Sequence, residues 1–100
     1  MDNQDILEFI NANFTMQANI TCYNKLNCFV NAMHLGKYYP ITDEEIYRGV
    51  EYKKAESKAL LKSLAPFFKN ENQHQAEALI ETYCNNSLQQ FLDYKHLHEK

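Results

Sequence analysis

Histidine is the residue type in this chain that could chelate a metal ion. His96 and His98 are separated by one residue near the end of the sequence, with Glu99 beside them. On a helix, residues two positions apart point to different faces, so this pair cannot chelate as histidines four apart do. The cysteines show no C-x₂-C spacing that could anchor a zinc site. We therefore expect no metal site and no cofactor.

Nucleophilic catalysis would require a Ser or Cys side chain held beside a base. Cys22 and Cys84 lie on or next to apolar helical stripes, where cysteine is usually an inert packing residue. Cys28 lies on a polar helical face and is the best candidate for a reactive thiol, but no adjacent base is identifiable. A phosphate-binding loop needs several glycines, and the chain has two. We expect no catalytic residues and interpret the protein as not an enzyme.

Phosphate binding is a second chemistry that the side chains could support. Arg48, Lys54, Lys58 and Lys62 lie on adjacent flanks of a helix predicted over residues 42–64, with Tyr47 among them. A basic helix with aromatic residues can neutralise phosphates and stack on bases. However, the chain has a net charge of −3 and a single arginine, the residue most used to recognise base edges. A nucleic-acid-binding regulator using the basic face of helix 43–64 is therefore the alternative hypothesis.

Protein binding is the leading hypothesis. Seven Tyr and six Phe are many for 100 residues, and Tyr is enriched at protein interfaces. Three of these tyrosines cluster around Pro40, although each could instead cover the edge of the core. We predict a non-enzymatic protein–protein interaction module, such as an inhibitor, immunity factor or adaptor. Its predicted partner-binding residues are Tyr38, Tyr39, Tyr47, Arg48, Lys54, Lys58 and Lys62.

The charge distribution bears on the kind of partner. Residues 1–45 carry a net charge of −4, residues 46–69 of +4 and residues 70–100 of −3. The acidic ends could attract a basic or nucleic-acid-binding protein, or the segments could neutralise one another when packed. Surplus apolar surface could also be covered by self-association as a homodimer. A small apolar ligand held in an aromatic-rich core is a third option.

Composition narrows the fold class and the cellular location. The chain is 45% hydrophobic and 23% charged, with two Gly and two Pro, which favours helices over a turn-rich β-sandwich. No apolar run approaches the roughly 20 residues of a membrane span. Met1 is followed by polar residues, so we expect no signal peptide. An odd number of cysteines without framework spacing predicts reduced thiols in the cytoplasm.

Apolar spacing and capping signals predict an all-α fold, a compact bundle of about five short-to-medium helices forming a single domain over residues 1–100. A Thr-x-x-Glu capping box at Thr42 and Glu45 starts the central helix, and Ser87 with Gln90 forms a second box. The predicted helices cover residues 3–13, about 19–35 ending at Gly36, 42–64, about 72–85, and a last one from Ser87. Phe67 and Phe68 are expected to plug one end of the bundle.

The helix over residues 42–64 has two sides that could each pack against a neighbour. Ile46 and Val50 belong to one apolar stripe, while Ala55 and Ala59 belong to a stripe of mostly small residues roughly opposite. Small residues allow close approach, so this helix is a candidate for the centre of the bundle. Alternatively, the two alanines are good helix formers on a solvated face. Gly49 is unfavourable within a helix and is a candidate position for a kink.

Overall fold

Three α-helices make up the fold of this protein. The structure is a computed structural model and describes residues 3–64, 66 and 70–99. Helix α1 spans Asn3–His34, α2 spans Asp43–Ser63 and α3 spans Asn70–His98, and the described ranges contain no strand. The prediction of an all-α, single-domain helical bundle is confirmed. The predicted number of about five helices is wrong, because the first two predicted helices are one and so are the last two.

The predicted breaks fail because nothing in the chain forces the backbone out of the helix. Residues 3–34 contain neither Gly nor Pro. Within the Asn- and Thr-rich segment that suggests a break, the Thr21 hydroxyl donates to the carbonyl oxygen of Gln17 at 3.2 Å, which lets a threonine remain inside α1. The Ser87 capping signal fails for a related reason. A capping box satisfies N–H groups at a helix start, and inside α3 those groups are already bonded to the preceding turn.

The ends of α1 and α2 follow the sequence signals closely. Gly36 adopts a left-handed φ of 70°, and its N–H donates to the Met33 carbonyl at 3.0 Å. The Lys37 N–H donates to the Ala32 carbonyl at 2.8 Å, which completes a Schellman motif. At the start of α2, the Thr42 hydroxyl accepts from the Glu45 N–H at 3.1 Å, and the Glu45 carboxylate accepts from the Thr42 N–H at 3.0 Å. Both predicted helix boundaries are confirmed.

Helix α2 lies between α1 and α3, in agreement with the interpretation that it is the central helix. Gly49 is buried at the crossing of α1 and α2, where a β-carbon would lie 2.9 Å from Cδ2 of Leu26. The glycine therefore permits the close approach of two helices. The stripe of small residues is covered less completely than the central position suggests, since Ala55 and Ala59 are exposed.

The hydrophobic core occupies one end of the bundle, where the C-terminal halves of α1 and α3 meet the N-terminal half of α2. We call this the closed end; its buried residues are Leu26, Phe29, Ile41, Ile46, Val50, Cys84 and Leu92. The bundle is flat, with principal extents of 50 × 39 × 16 Å. No helix in residues 3–64 and 70–99 is both long and apolar enough to cross a membrane. Phe67 and Phe68 lie outside the described residues.

Candidate protein-binding surface

The three predicted binding tyrosines occupy different environments. Tyr38 places its ring edge-on to Phe29, with centroids 6.3 Å apart, and stacks on His98 at 5.8 Å. Tyr39 is half-buried and packs against the core. Tyr47 is 49% exposed. Two of the tyrosines thus cover the edge of the core and the third is open to solvent, while a role for any of them in partner binding stays a prediction.

The basic face of α2 is paired with acids of the same chain. Lys58 Nζ lies 2.6 Å from one carboxylate oxygen of Glu81 on α3, and Lys54 Nζ lies 3.3 Å from the other. These two ammonium groups, Lys58 first, hold the pKa of Glu81 below its usual value. Arg48 pairs with Glu44 one turn earlier on α2, at 2.8 Å. The face therefore carries much less uncompensated positive charge than its sequence suggests.

Lys62, the remaining predicted basic residue, lies near the C-terminal end of α2 and is exposed. No carboxylate lies within ion-pair distance of it among the side chains that the structure describes. Of the four predicted basic residues, Lys62 is thus the one whose charge is most available to a partner. One exposed lysine alone is a weak phosphate-binding site, since affinity for nucleic acid grows with the number of neutralised phosphates.

A polar cluster fastens α3 to the start of α2 at the closed end. Lys95 is buried and pairs with Asp43 at 2.9 Å and with Glu99, which together raise the pKa of Lys95 to about 12, Glu99 contributing most. His96 Nε2 lies 3.1 Å from the other oxygen of Asp43. The hydrogen bonds from Lys95 and then His96 lower the pKa of the Asp43 carboxyl. The pair of Lys95 and Glu99 has helical i,i+4 spacing, but no spacing rule predicts the contacts with Asp43, which lies about fifty residues away in the chain.

Two further contacts hold the closed end together. The Tyr94 hydroxyl on α3 donates to the carbonyl oxygen of Lys37 in the loop after α1, at 2.7 Å. Lys25 on α1 forms an ion pair with Glu45, the acid of the capping box, and this pairing lowers the pKa of Glu45. All three helices are therefore cross-linked at this end by polar contacts as well as by the core.

The opposite end of α1 is built differently. Residues 3–20, which we call the arm, carry large apolar side chains that are all substantially exposed: Ile6, Leu7, Phe9, Ile10, Phe14, Met16 and Ile20. Phe9 and Phe14 each expose 69% of their surface and point to different sides of the helix. An apolar face of a helix is normally packed against another element. The stripe of Ile6, Leu7, Ile10 and Phe14 visible in the sequence thus has no cover in this chain.

A groove runs beside the arm, between α1 and α2. The rings of Tyr23 and Tyr52 meet with centroids 5.0 Å apart, and beyond this contact the two helices leave a space of about 720 Å³. Its walls are mostly small or apolar, including Ala12 and Met16 on the arm and Ala55 and Ala59 on α2. A groove lined by small side chains admits the larger side chains of another helix. The arm lines this groove with a stripe of smaller side chains, whereas Ile10 and Phe14 line a separate pocket on another side of α1.

A second, smaller groove lies across α2 between α1 and α3. It has a volume of about 260 Å³ and is lined by residues that include Leu26, Val50, Tyr83 and Phe91. Sites for small organic ligands usually enclose about 300–1,000 Å³ and surround most of the ligand. This groove is at the lower limit of that range and open to solvent, so it gives the small-ligand option little support.

The total surface also indicates an incompletely covered chain. The accessible surface is 7413 Å², about 1,500 Å² more than the roughly 5,900 Å² expected for a folded monomer of this mass. The radius of gyration is 16.5 Å, against about 13 Å for a typical 100-residue domain. Much of the excess is exposed apolar surface on the arm.

The remaining expectations concern metals, thiols and relatives. Within the described ranges, no three His, Cys, Asp or Glu side chains are grouped as metal ligands would be. Cys22, Cys28 and Cys84 are not in disulfide bonds, and Cys28 is exposed.

Comparisons with known protein families, with curated proteins and with solved structures find no match to this chain. Any functional conclusion must therefore come from the surface itself.

Proposed function

We propose that this protein is a non-enzymatic interaction module that binds another protein through the arm and the adjoining groove. The observation that carries the proposal is the arm, whose large apolar side chains are exposed over about half of the helix circumference. Burying one such side chain completely contributes about 1.5–3 kcal/mol. Seven of them on one helical segment provide enough apolar surface for a stable complex.

The roles that fit such a module are those of an inhibitor, an immunity factor or an adaptor, which act by covering or joining other proteins. The arm carries the acids Asp5 and Glu8 and no base, and the whole chain has a net charge of −3. This charge favours a neutral or basic protein partner, including one that itself binds nucleic acid. The unpaired thiols support a cytoplasmic location.

Tyr47 is the most exposed of the three tyrosines in the predicted binding set, with 49% of its surface accessible. The nucleic-acid alternative receives less support, because it would rely on Lys54 and Lys58, whose charges are already compensated by Glu81. Binding a phosphate there would require these lysines to exchange one anion for another. A polyanion with many phosphates could still compete, so the alternative needs a direct test.

The test is affinity purification of the tagged protein from its source cells, divided into nuclease-treated and untreated halves. We expect a stoichiometric protein to remain bound after nuclease treatment. Phe14→Glu, which places a charge on the arm, should release it, whereas Leu97→Glu should not. Leu97 is a matched control because it is an exposed apolar residue on a helix far from the arm, with 67% of its surface accessible.

Two results would contradict the proposal. Bound material that consists of nucleic acid, or of proteins lost on nuclease treatment, would instead support the nucleic-acid alternative. A partner that is released equally by Phe14→Glu and Leu97→Glu would show that the arm is not the binding surface.

A further inference from the structure

We propose that the occupant of the arm is a second copy of this chain, and that the two arms lie antiparallel across a two-fold axis with their exposed apolar faces packed against each other. The inference rests on the proposed function and names the partner of that surface.

The area of uncovered surface matches what a stable dimer needs. Each copy exposes about 1,500 Å² beyond the expectation for a monomer of its mass. A standard protein interface buries about 800 Å² on each partner, and permanent dimers bury more, with more apolar character. One additional chain is thus sufficient to cover the excess.

The surface is also complementary to itself. An interface with two-fold symmetry uses the same patch on both copies, so the patch must be complementary to itself. Here the patch is the exposed apolar face of the arm, which includes Ile6, Ile10 and Phe14. Such a face can pack against a second copy of itself, because the side-chain ridges of one helix fit into the grooves between those of the other. The groove beside α2 is lined by the opposite side of the arm and stays outside this contact.

Charge selects the antiparallel arrangement. The acids of α1, Asp5 and Glu8, lie near its N-terminus, and its single lysine, Lys25, lies beyond the arm. A parallel pair would place the acids of the two copies side by side. An antiparallel pair separates them and moves each acidic end toward the half of the other α1 that carries the lysine.

The same charges disfavour phosphate-bearing occupants. Residues 3–24 contain no Lys or Arg. Nucleic acids and anionic membrane surfaces are bound largely through basic side chains, and amphipathic helices that lie on membranes are typically rich in them. An uncharged to acidic, apolar arm is therefore suited to a protein surface.

The first experiment measures the mass of the purified, untagged full-length chain by light scattering across a wide range of concentrations. We expect a particle of about twice the 11.8 kDa chain mass. Phe14→Glu should convert it to the monomer, and the matched control Leu97→Glu should leave it dimeric. Circular dichroism of each variant establishes that the helices remain folded.

The second experiment tests the arrangement and needs no disruptive change. Spin labels are attached at Asn13→Cys or Gln4→Cys, each in a Cys28→Ser background, because Cys28 is the exposed native thiol. Antiparallel arms crossing near Asn13 give a short distance between the two labels there. They separate the labels at residue 4 by about 27 Å along the helix axis, which follows from a rise of 1.5 Å per residue.

The possible results separate this inference from the proposed function. A chain that is monomeric at every concentration, or a dimer that survives Phe14→Glu, overturns the inference. In either case the proposed function stands if cells yield a different protein that depends on the arm. Short label distances at both positions overturn the antiparallel arrangement. If the Phe14→Glu variant is unfolded, the distances between the spin labels decide whether the dimer forms and how its arms are arranged.

Discussion

Replacing Gly49 by alanine tests the closest contact in the bundle, because propensity and packing predict opposite signs. Alanine is favoured over glycine inside a helix by about 1 kcal/mol, so the sequence alone predicts that Gly49→Ala stabilises the fold. In the structure, the new β-carbon would lie 2.9 Å from Cδ2 and 3.0 Å from Cβ of Leu26, and 3.1 Å from the carbonyl oxygen of Cys22. Carbon atoms normally pack at about 3.5–4.0 Å.

The size of the effect follows from how little these atoms can move. Leu26 is 4% exposed, and its Cβ is fixed to the backbone of α1, so turning the side chain can relieve only the contact with Cδ2. The Cys22 oxygen belongs to the backbone of α1 and moves only with that helix. Overpacking of this kind costs about 1–3 kcal/mol, and a contact with backbone places it in the upper part of that range. After the gain in helix propensity, we expect Gly49→Ala to be destabilising by about 1–2 kcal/mol.

Urea unfolding monitored by circular dichroism measures this difference. For a slope of about 2 kcal/mol per molar urea, the midpoint should fall by about 0.5–1 M without a change in slope. Ala78→Gly is the matched control, because Ala78 is an exposed helical residue where the same exchange in reverse reports propensity alone. It should lower the free energy of unfolding by about 1 kcal/mol. All variants must be compared at one protein concentration, since a dimer's stability depends on it.

A rise in the midpoint for Gly49→Ala, equal in size to the fall for Ala78→Gly, would refute the close approach of α1 and α2. A double-mutant cycle sharpens the test. In a Leu26→Ala background, Cδ2 of Leu26 is gone, so the penalty for Gly49→Ala should shrink by at least about 0.5 kcal/mol. An unchanged penalty would show that Leu26 is not the obstacle.

Four other outcomes follow from the described contacts. Thr42→Ala removes the capping box and should lower the free energy of unfolding by about 1 kcal/mol, measured by urea unfolding. In the folded protein, the hydrogen bond from Lys95 lowers the pKa of the Asp43 carboxyl. Its contribution to the free energy of unfolding should therefore be present above the unfolded-state pKa of about 4 and be lost as the pH falls through the lower, folded-state pKa. Asp43→Asn should make the free energy of unfolding depend less on pH in the acid range. Tyr47→Ala should change stability by less than about 0.5 kcal/mol yet weaken a complex by about 1 kcal/mol or more, measured by calorimetry. Lys58→Glu should leave partner binding nearly unchanged, whereas abolished binding to nucleic acid with a steep salt dependence would support the alternative function.

Two of these outcomes have a matched control within the chain. Thr42→Ser keeps a hydroxyl that can cap α2 and should retain most of the stability. Asp5→Asn removes an acid from the arm, far from Lys95, and should leave the acid profile of the parent in place. If Tyr47→Ala leaves the affinity for every partner intact, Tyr47 is not part of the binding surface.

Signals that act over a few residues predicted the end of α1 and the start of α2 well, but not the continuity of α1 and α3. The Thr42–Glu45 capping box and the Gly36 terminus are present as expected, because each is completed by atoms within five residues along the chain. The absence of helix breakers between residues 3 and 34 was equally visible in the sequence. A break was nevertheless predicted in this segment because Asn and Thr favour helix ends. Inside a long helix, however, these residues are tolerated.

The exposure of the arm was harder to predict. The apolar stripe that includes Ile10 and Phe14 is visible in the sequence. Spacing alone, however, cannot distinguish a helix face that packs against the core of its own chain from one that stays exposed. A usable signal did exist: residues 9–24 carry no charge on any side of the helix, which is unusual for a solvated segment. The basic face of α2 was over-weighted because Glu81, its neutralising partner, is distant in the chain.

The all-α class and the caps of the individual helices were determined by the sequence itself, since hydrogen bonds and propensities within a few residues suffice to specify them. Tertiary structure decided the rest. It made Gly49 a contact between helices, gave buried Lys95 its partner Asp43, and left the arm without a neighbour. These outcomes depend on which helices lie side by side. That arrangement is decided by contacts between residues far apart in the chain, such as Lys95 with Asp43.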